Sequence, residues 1–349
     1  MSRLGIRSVD AELSVFKVLA IDGGGMRGLY SAKLLEVFEA RFKTRIVDHF
    51  DLICGTSTGG LIALALGMRF PASTISEFYK KYGGHIFPPS FQLWRRTKQI
   101  VGHGKYSNEI LRSVLERFFG DTCIGDSQCL LCVPSYSVTR ARPYIFRFDH
   151  PEGGLGRDNN TRCVEVALAT SAAPTYFPLV EIPHHPGQFI DGGVCANNPA
   201  IVGLIEAFRY FVGTGKAYAS VEILSIETLG VPVGMRLQKR REKGALRWRE
   251  DLISCFMEGQ AHLTNYTLKT LSDTAVIPLT YTRLESPRVS PEQAKLLSLD
   301  NAEPEALAQL EAFGVDAAHN FSVQDRVRCF FSTKKTYKTQ GEPRSDGEL

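Results

Sequence analysis

Ile53-Cys54-Gly55-Thr56-Ser57-Thr58-Gly59-Gly60 reads as the end of a buried strand, a sharp turn bearing one serine, and the start of a helix. The apolar run Leu61-Ile62-Ala63-Leu64-Ala65-Leu66 continues it. Gly55 and Gly59 stand two residues either side of Ser57, as a strand–turn–helix elbow requires, because side chains there would meet the backbone. Such a turn fixes Ser57 at a helix N-terminus, where N–H groups and the helix dipole favour developing negative charge. A Gly/Ser/Thr-rich turn of this looseness also occurs as an ordinary loop, so the meaning of the elbow rests on the rest of the chain.

Upstream, Phe16–Ile21 is a short apolar strand followed by Asp22-Gly23-Gly24-Gly25-Met26-Arg27-Gly28 and an amphipathic helix from Leu29 to Phe42. Strand, glycine loop and helix outline a phosphate or oxyanion site. Gly23, Gly25 and Gly28 satisfy GxGxxG, and Asp48 follows Gly28 at the spacing of a ribose-binding acid, so a dinucleotide site is one reading. An oxyanion hole is the other, since glycines let backbone N–H groups approach a tetrahedral intermediate. Downstream, Gln188–Asp191 is a strand that carries Asp191 to its end before Gly192-Gly193, and Pro199 opens a helix to Tyr210. Strand Val221–Ser225 completes an alternation of β and α elements that predicts an α/β fold.

Several stretches read as structure only. Cys129 and Cys132 have CxxC spacing, but both sit in one apolar segment, which favours a buried strand over metal or redox chemistry. The eight scattered cysteines fit a reducing, cytoplasmic setting. His184-His185 lies between prolines as a solvated turn, and no metal site is expected. Phe87–Trp94 is an aromatic loop, either surface packing or a lid or membrane-touching segment. Helices are expected near Ser73–Tyr82, over Ser107–Phe119 with Ser107 as cap, over Arg162–Thr170, over Leu252–Leu271, and over Glu303–Phe313 ended by Gly314. Cys129–Val138 and Tyr144–Phe148 read as strands.

The chain of 349 residues carries 41 Lys and Arg against 37 Asp and Glu, a net charge of +4. That mild basicity suits an anionic membrane surface or a nucleotide and does not suggest a nucleic-acid polymer. Met1–Asp10 carries arginines with no apolar run behind it, which predicts no export signal. No apolar stretch reaches the ~20 residues of a spanning helix.

Three stretches, Asp22–Gly28, Gly55–Gly59 and Asp191–Gly193, resemble together the patatin-like phospholipases. Their order and spacing agree, as does the intervening Ala169-Thr-Ser-Ala-Ala-Pro-Thr-Tyr-Phe177. The resemblance covers Phe16 to Ser225, with a family-like helix near Leu299–Ala302. One departure is Ser225-Ile-Glu-Thr228, where Glu227 stands for the first glycine of a Gly-Thr-Gly turn.

The resemblance implies a three-layer α/β/α fold with a mostly parallel central sheet, and a cofactor-free serine acyl hydrolase of phospholipase A type. Ser57 would be the nucleophile and Asp191 the general base. Gly23, Gly24 and Gly25 would hold the oxyanion, with Arg27 shaping their loop. The competing Ser-His-Asp reading needs a histidine after the acid, and only His262 and His319 follow Asp191.

Some bacterial members of similar build act in antiphage defence, degrading membrane phospholipids once a cyclic di- or oligonucleotide binds. The resemblance to them implies a cyclic-dinucleotide activator and a homo-oligomer formed on activation. The enzyme would then work from the cytoplasm at the inner membrane surface. An unregulated lipid acyl hydrolase and a non-enzymatic nucleotide-binding protein are the alternatives. Arg236, Arg240, Arg241 and Arg247 are the candidate nucleotide contacts, although an ordinary charged helix accounts for them equally. The expected organisation is an N-terminal extension (1–15) and a catalytic domain (16–332) with a core over 16–228 and a helical, regulatory part over 229–332. A flexible tail (333–349) follows.

Overall fold

The computed structural model describes residues 14–88, 105–230 and 245–339. Val15–Ile21 forms β1, and all of it beyond Val15 is buried. An unbroken apolar run of this kind suits a central strand covered on both faces. The other strands are β2 (Leu52–Gly55), β3 (Leu130–Ser137), β4 (Arg142–Arg147), β5 (Val180–Ile182), β6 (His185–Asp191), β7 (Ser220–Ile226) and β8 (Leu279–Leu284). They form one sheet in the order β5-β6-β3-β2-β1-β7-β8, with β4 on β3. The pairs from β3 through β2, β1 and β7 to β8 are parallel; β4, β5 and β6 add antiparallel pairs.

Among the described residues, the helices of seven residues or more are α1 (Gly28–Phe42), α2 (Thr58–Gly67), α3 (Ala72–Ile86), α4 (Asn108–Phe119), α5 (Cys163–Thr170), α6 (Ala200–Glu206), α7 (Ala245–Asp273) and α8 (Pro304–Ser322). Ser107 caps α4 by accepting from Glu109 N–H. Gly203 of α6 lies against Val18 and Cys54, while Gly67 of α2 lies against Leu131. Leu131 is in register with Ile53, Cys54's neighbour, and successive side chains of a strand face opposite ways. The two helices therefore cover opposite faces, which gives the expected three layers.

Four expectations need correction. The part after residue 229 is not only helical: β8 extends the sheet beside β7. Gly314 does not end a helix, for α8 runs through it to Ser322. A Cβ there would come within 2.8 Å of the Tyr30 carbonyl, so Gly314 permits the close crossing of α8 and α1. Leu299–Ala302 is a turn and loop, not a helix. The tail is ordered as far as it is described, because the buried Asp51 carboxylate takes the N–H groups of Thr336 (3.0 Å) and Tyr337 (2.8 Å). Cys129 and Cys132 are buried free thiols, as the apolar run around them suggests.

β1, β2 and β7 finish level, with Ile21 opposite both Gly55 and Ile226. The loops that follow them, from Asp22, Thr56 and Glu227, therefore emerge side by side. β6 reaches the same place from the other direction. β4 holds one edge of β3, and β2 and β6 share the other: Cys54 lies beside Cys132, and Asp191 beside Ser135. β2 is parallel to β3 and β6 antiparallel, so the two run head-on and stop with Val133 and Pro134 between them. Proline, which lacks an N–H, fits a position where neither strand offers a ladder partner.

Candidate active site

Ser57 occupies the tip of the elbow with φ 54° and ψ −122°. A serine keeps such a backbone only where its surroundings enforce it. They do: a Cβ on Gly55 would lie 2.0 Å from the Gly59 carbonyl oxygen, and one on Gly59 would lie 2.2 Å from that of Ile21. The Ser57 N–H donates to Thr170 Oγ1 (2.9 Å), and that hydroxyl donates to the Pro134 carbonyl (2.6 Å). Thr170 thus ties the elbow to the break in the sheet.

The Ser57 hydroxyl donates to Asp191 Oδ2 at 2.7 Å, and Gly193 N–H donates to Oδ1 at 2.7 Å. Asp191 itself is held by its N–H on the Ala172 carbonyl (3.0 Å). It is 2 % exposed. Burial pushes its carboxyl up to about 6, against the opposing pull of the Ser57 and Gly193 hydrogen bonds. No cation pairs with Asp191 among the described residues.

This pair sits at the base of an apolar cavity whose walls include Phe78, Tyr79, Ile86, Phe87, Tyr176 and Phe177. Ile253 and Met257, one turn apart on α7, cover it from the other side. Of the aromatic loop, Phe87 and Pro88 alone are described; Phe87 packs on Tyr106 and Phe177.

Gly24 and Gly25 line the same cavity. Their orientation follows from the peptide plane, in which C=O and the next N–H point opposite ways. Thr228 Oγ1 donates to the Gly23 carbonyl (2.7 Å), so Gly24 N–H faces away from Thr228. Arg27 Nε and N–H both reach the Gly24 carbonyl (3.4 and 3.2 Å), so Gly25 N–H faces away from Arg27. Gly23 is a correction: its N–H is spent on the Asn197 carbonyl at 3.1 Å, which leaves Gly24 and Gly25 as the candidate oxyanion donors. Arg27 is buried behind the loop and also donates to the Leu229 carbonyl (3.0 Å), so it shapes the loop without facing the cavity. Glu227 makes its own turn beside the site, accepting Ser286 N–H at 2.8 Å.

The competing readings find little support in the geometry. Among the described residues no histidine lines the cavity. His262 faces a second cavity and His319 is exposed on α8. Asp48 pairs with Arg69 (2.5 Å) away from the glycine loop. His185 is not solvated but buried, between the Tyr144 hydroxyl (2.8 Å) and the Thr161 hydroxyl (2.7 Å), and burial lowers its pKa. Arg236, Arg240 and Arg241 lie outside the described residues, and so does the side chain of Arg247 on α7.

Thr170, Thr228 and Asn197 escaped the sequence reading. Thr170 stood within the quoted Ala169–Phe177 stretch and Thr228 within Ser225–Thr228, but only the fold shows which carbonyls they hold.

A family profile described as patatin-like phospholipase matches residues 19–204. A cGAMP-activated phospholipase of Pseudomonas aeruginosa is 34% identical over 74% of this chain and 75% of its own. Another of the same name from Escherichia coli is 31% identical over 92% of this chain and 94% of its own. Human GIVD cytosolic phospholipase A2 superposes with a TM-score of 0.44 and 12% identity over 93% of this chain and 62% of its own. With more than half its length matched, the chain belongs to the patatin-like phospholipases and is a lipid-hydrolysing enzyme.

Proposed function

We propose that this enzyme cleaves acyl esters of membrane phospholipids with a Ser57–Asp191 dyad, and that a cyclic dinucleotide raises its activity. The observation that carries the first part is the 2.7 Å bond from Ser57 Oγ to Asp191 Oδ2 at the base of an apolar cavity. An acyl chain in that cavity puts its ester carbonyl over Ser57 and excludes water. Ser57 Oγ attacks the carbonyl carbon as its proton passes to Asp191 Oδ2. Negative charge gathers on the carbonyl oxygen, where Gly24 and Gly25 N–H groups and the N-terminus of α2 meet it. The tetrahedral adduct collapses, the lyso-lipid oxygen leaves with the proton from Asp191, and the acyl group stays on Ser57. Water then attacks, Asp191 takes its proton, and the same sequence releases the fatty acid.

An ordinary aspartate is too weak a base for serine. A carboxyl raised to about 6 by burial is a better one, and it is still ionised at neutral pH.

The second part rests on the relatives' names and on the danger of an unregulated bilayer lipase to its own cell. Self-assembly on activation would be one way for the effector to favour the active state, and defence against phage is the setting this suits. Among the described residues no helix is long and apolar enough to cross a membrane.

The test is fatty-acid release from phosphatidylglycerol–phosphatidylethanolamine liposomes, with and without 3′,3′-cyclic GMP–AMP. Release by the wild type that rises with nucleotide, and none from Ser57→Ala, is expected. Full release without nucleotide and no response to it would leave an unregulated acyl hydrolase. Turnover by a folded Asp191→Ala protein would end the dyad.

A further inference from the structure

Behind the glycine loop, on the side away from Ser57, lies a second cavity of about 600 Å³. That volume falls in the roughly 300–1,000 Å³ range of small-molecule sites. Its inner wall is the reverse of the catalytic loop: Asp22, Gly23, Arg27, Thr228 and Asn197. Its outer wall is α7, through Cys255, Glu258, His262 and Asn265. Those residues recur at helical spacing on one face of α7, whereas Ile253 and Met257 of the same helix cover the Ser57 cavity. The helix is a common wall between the two.

The polar groups of this cavity are unequally satisfied. Asp22 and Arg283 close on each other through two hydrogen bonds (2.9 and 2.5 Å), and Arg27 gives its Nε–H and an Nη1–H to the Gly24 and Leu229 carbonyls. Acceptors are left over. Asn197 is 6 % exposed and its Oδ1 has no donor, but that oxygen lies over Gly23 toward Ser57 and Gly193, where a Cβ on Gly23 would approach it to 2.6 Å, and so serves the catalytic side. Asn265 Oδ1 is likewise buried without a donor. The Glu258 carboxylate accepts no hydrogen bond among the described residues; the Arg27 charge across the cavity acts on it from a distance. At the rim, exposed Arg288 also has none. Buried acceptors without donors are costly, and a ligand that supplies the donors recovers that cost.

We infer that this second cavity is the activator site, and that it takes the donor edge of a purine base, with the phosphates turned to Arg288 at the rim. This rests on the reading of the enzyme as nucleotide-responsive. Guanine matches best, because its adjacent N1–H and N2–H donors suit one carboxylate, Glu258, and its remaining N–H can reach a carboxamide oxygen. The base would press on Asn197, Thr228 and Arg27, the groups that hold the Gly23 and Gly24 peptides. It would thereby stiffen Gly24 and Gly25 N–H in the orientation the oxyanion needs. Activation then needs no contact between nucleotide and lipid, only tighter binding to the ordered loop than to the loose one.

Calorimetry on the full chain tests this with 3′,3′-cyclic GMP–AMP and cyclic di-AMP as probes, on the wild type, Glu258→Gln and Asn265→Leu. The wild type should prefer the guanine-bearing probe. Each variant should bind it at least about tenfold more weakly, the loss that follows an unmatched buried partner. Glu258→Gln should also lose the preference. Hydrogen exchange on the wild type, independent of any variant's folding, should show slowed amides over residues 22–28 and 255–265 with the nucleotide bound. Tight nucleotide binding with unchanged Kd in both variants, or protection confined to other segments, overturns this site while leaving nucleotide control intact. No binding of either probe to the wild type overturns both.

Discussion

Replacing Asp191 with asparagine should abolish turnover and yet make the protein more stable at alkaline pH. Asp191 has no cation beside it and is 2 % exposed, so its charge is held at a cost. Burial raises the carboxyl from 3.8 to about 6. That gap, at about 1.36 kcal/mol per pH unit, makes the ionised side chain about 3 kcal/mol less favourable in the fold than in the unfolded chain. A carboxyl whose folded pKa is the higher one binds its proton more tightly when folded. The stability it lends is therefore complete below about 3.8 and is lost as pH rises to about 6. Asparagine does not titrate and can keep both contacts, its oxygen accepting Gly193 N–H and its amide donating to Ser57 Oγ. Urea unfolding of Asp191→Asn and wild type at pH 4.5 and pH 8 should show the variant ahead at pH 8 by up to about 3 kcal/mol, and the advantage mostly gone at pH 4.5. A variant less stable than wild type at pH 8, or a difference that does not change with pH, would refute a buried, unpaired, ionisable Asp191.

The same carboxyl sets the pH profile: kcat/KM on a short soluble ester should climb about tenfold per pH unit up to about 6 and then level, and a limb near 4 would place the base elsewhere. Thr228→Val keeps the side chain's shape but releases the Gly23 carbonyl; kcat should fall by about tenfold or more with KM little changed, and an unaltered kcat would show that Gly24 N–H is held without it. Thr170→Val strands the Ser57 N–H and the Pro134 carbonyl, both buried, and should cost about 1–3 kcal/mol in thermal unfolding. Wild-type stability in that variant would mean that water replaces the hydroxyl.

What could be read in the sequence was what sterics and periodicity write locally. Gly55 and Gly59 announce the elbow because any Cβ there collides with backbone only a few residues away or in the adjacent strand. Asp191, at a strand end before two glycines, reads by itself as a turn former; only the resemblance implied a role for it, and the fold brings it within 2.7 Å of the Ser57 hydroxyl. Gly23 misled, since nothing in Asp22–Gly28 says that, of the Gly23, Gly24 and Gly25 N–H groups, the first is taken by Asn197, far along the chain. Gly314 misled in the same way: a glycine that ends helices elsewhere here lets α8 pass close to Tyr30. β8 was overlooked in a segment read as helical, although Thr280, Tyr281 and Thr282 favour a strand and pair in register with β7. The ordered tail depends on Asp51 needing donors, a demand visible only once Asp51 is known to be buried.

The head-on meeting of β2 and β6 has a consequence for when the enzyme becomes dangerous. Ser57 and Asp191 are 134 residues apart, and the edge of β3 is what brings them together. Ladder contacts this distant in sequence come late in folding, after the loop-closure entropy of the intervening chain has been overcome. A nascent or proteolysed chain that stops before residue 185 carries the serine, its elbow and the glycine loop, but lacks Asp191, the proposed base. On the proposed dyad, a fragment that ends before β6 should show no turnover, so the enzyme would gain its activity only late in synthesis.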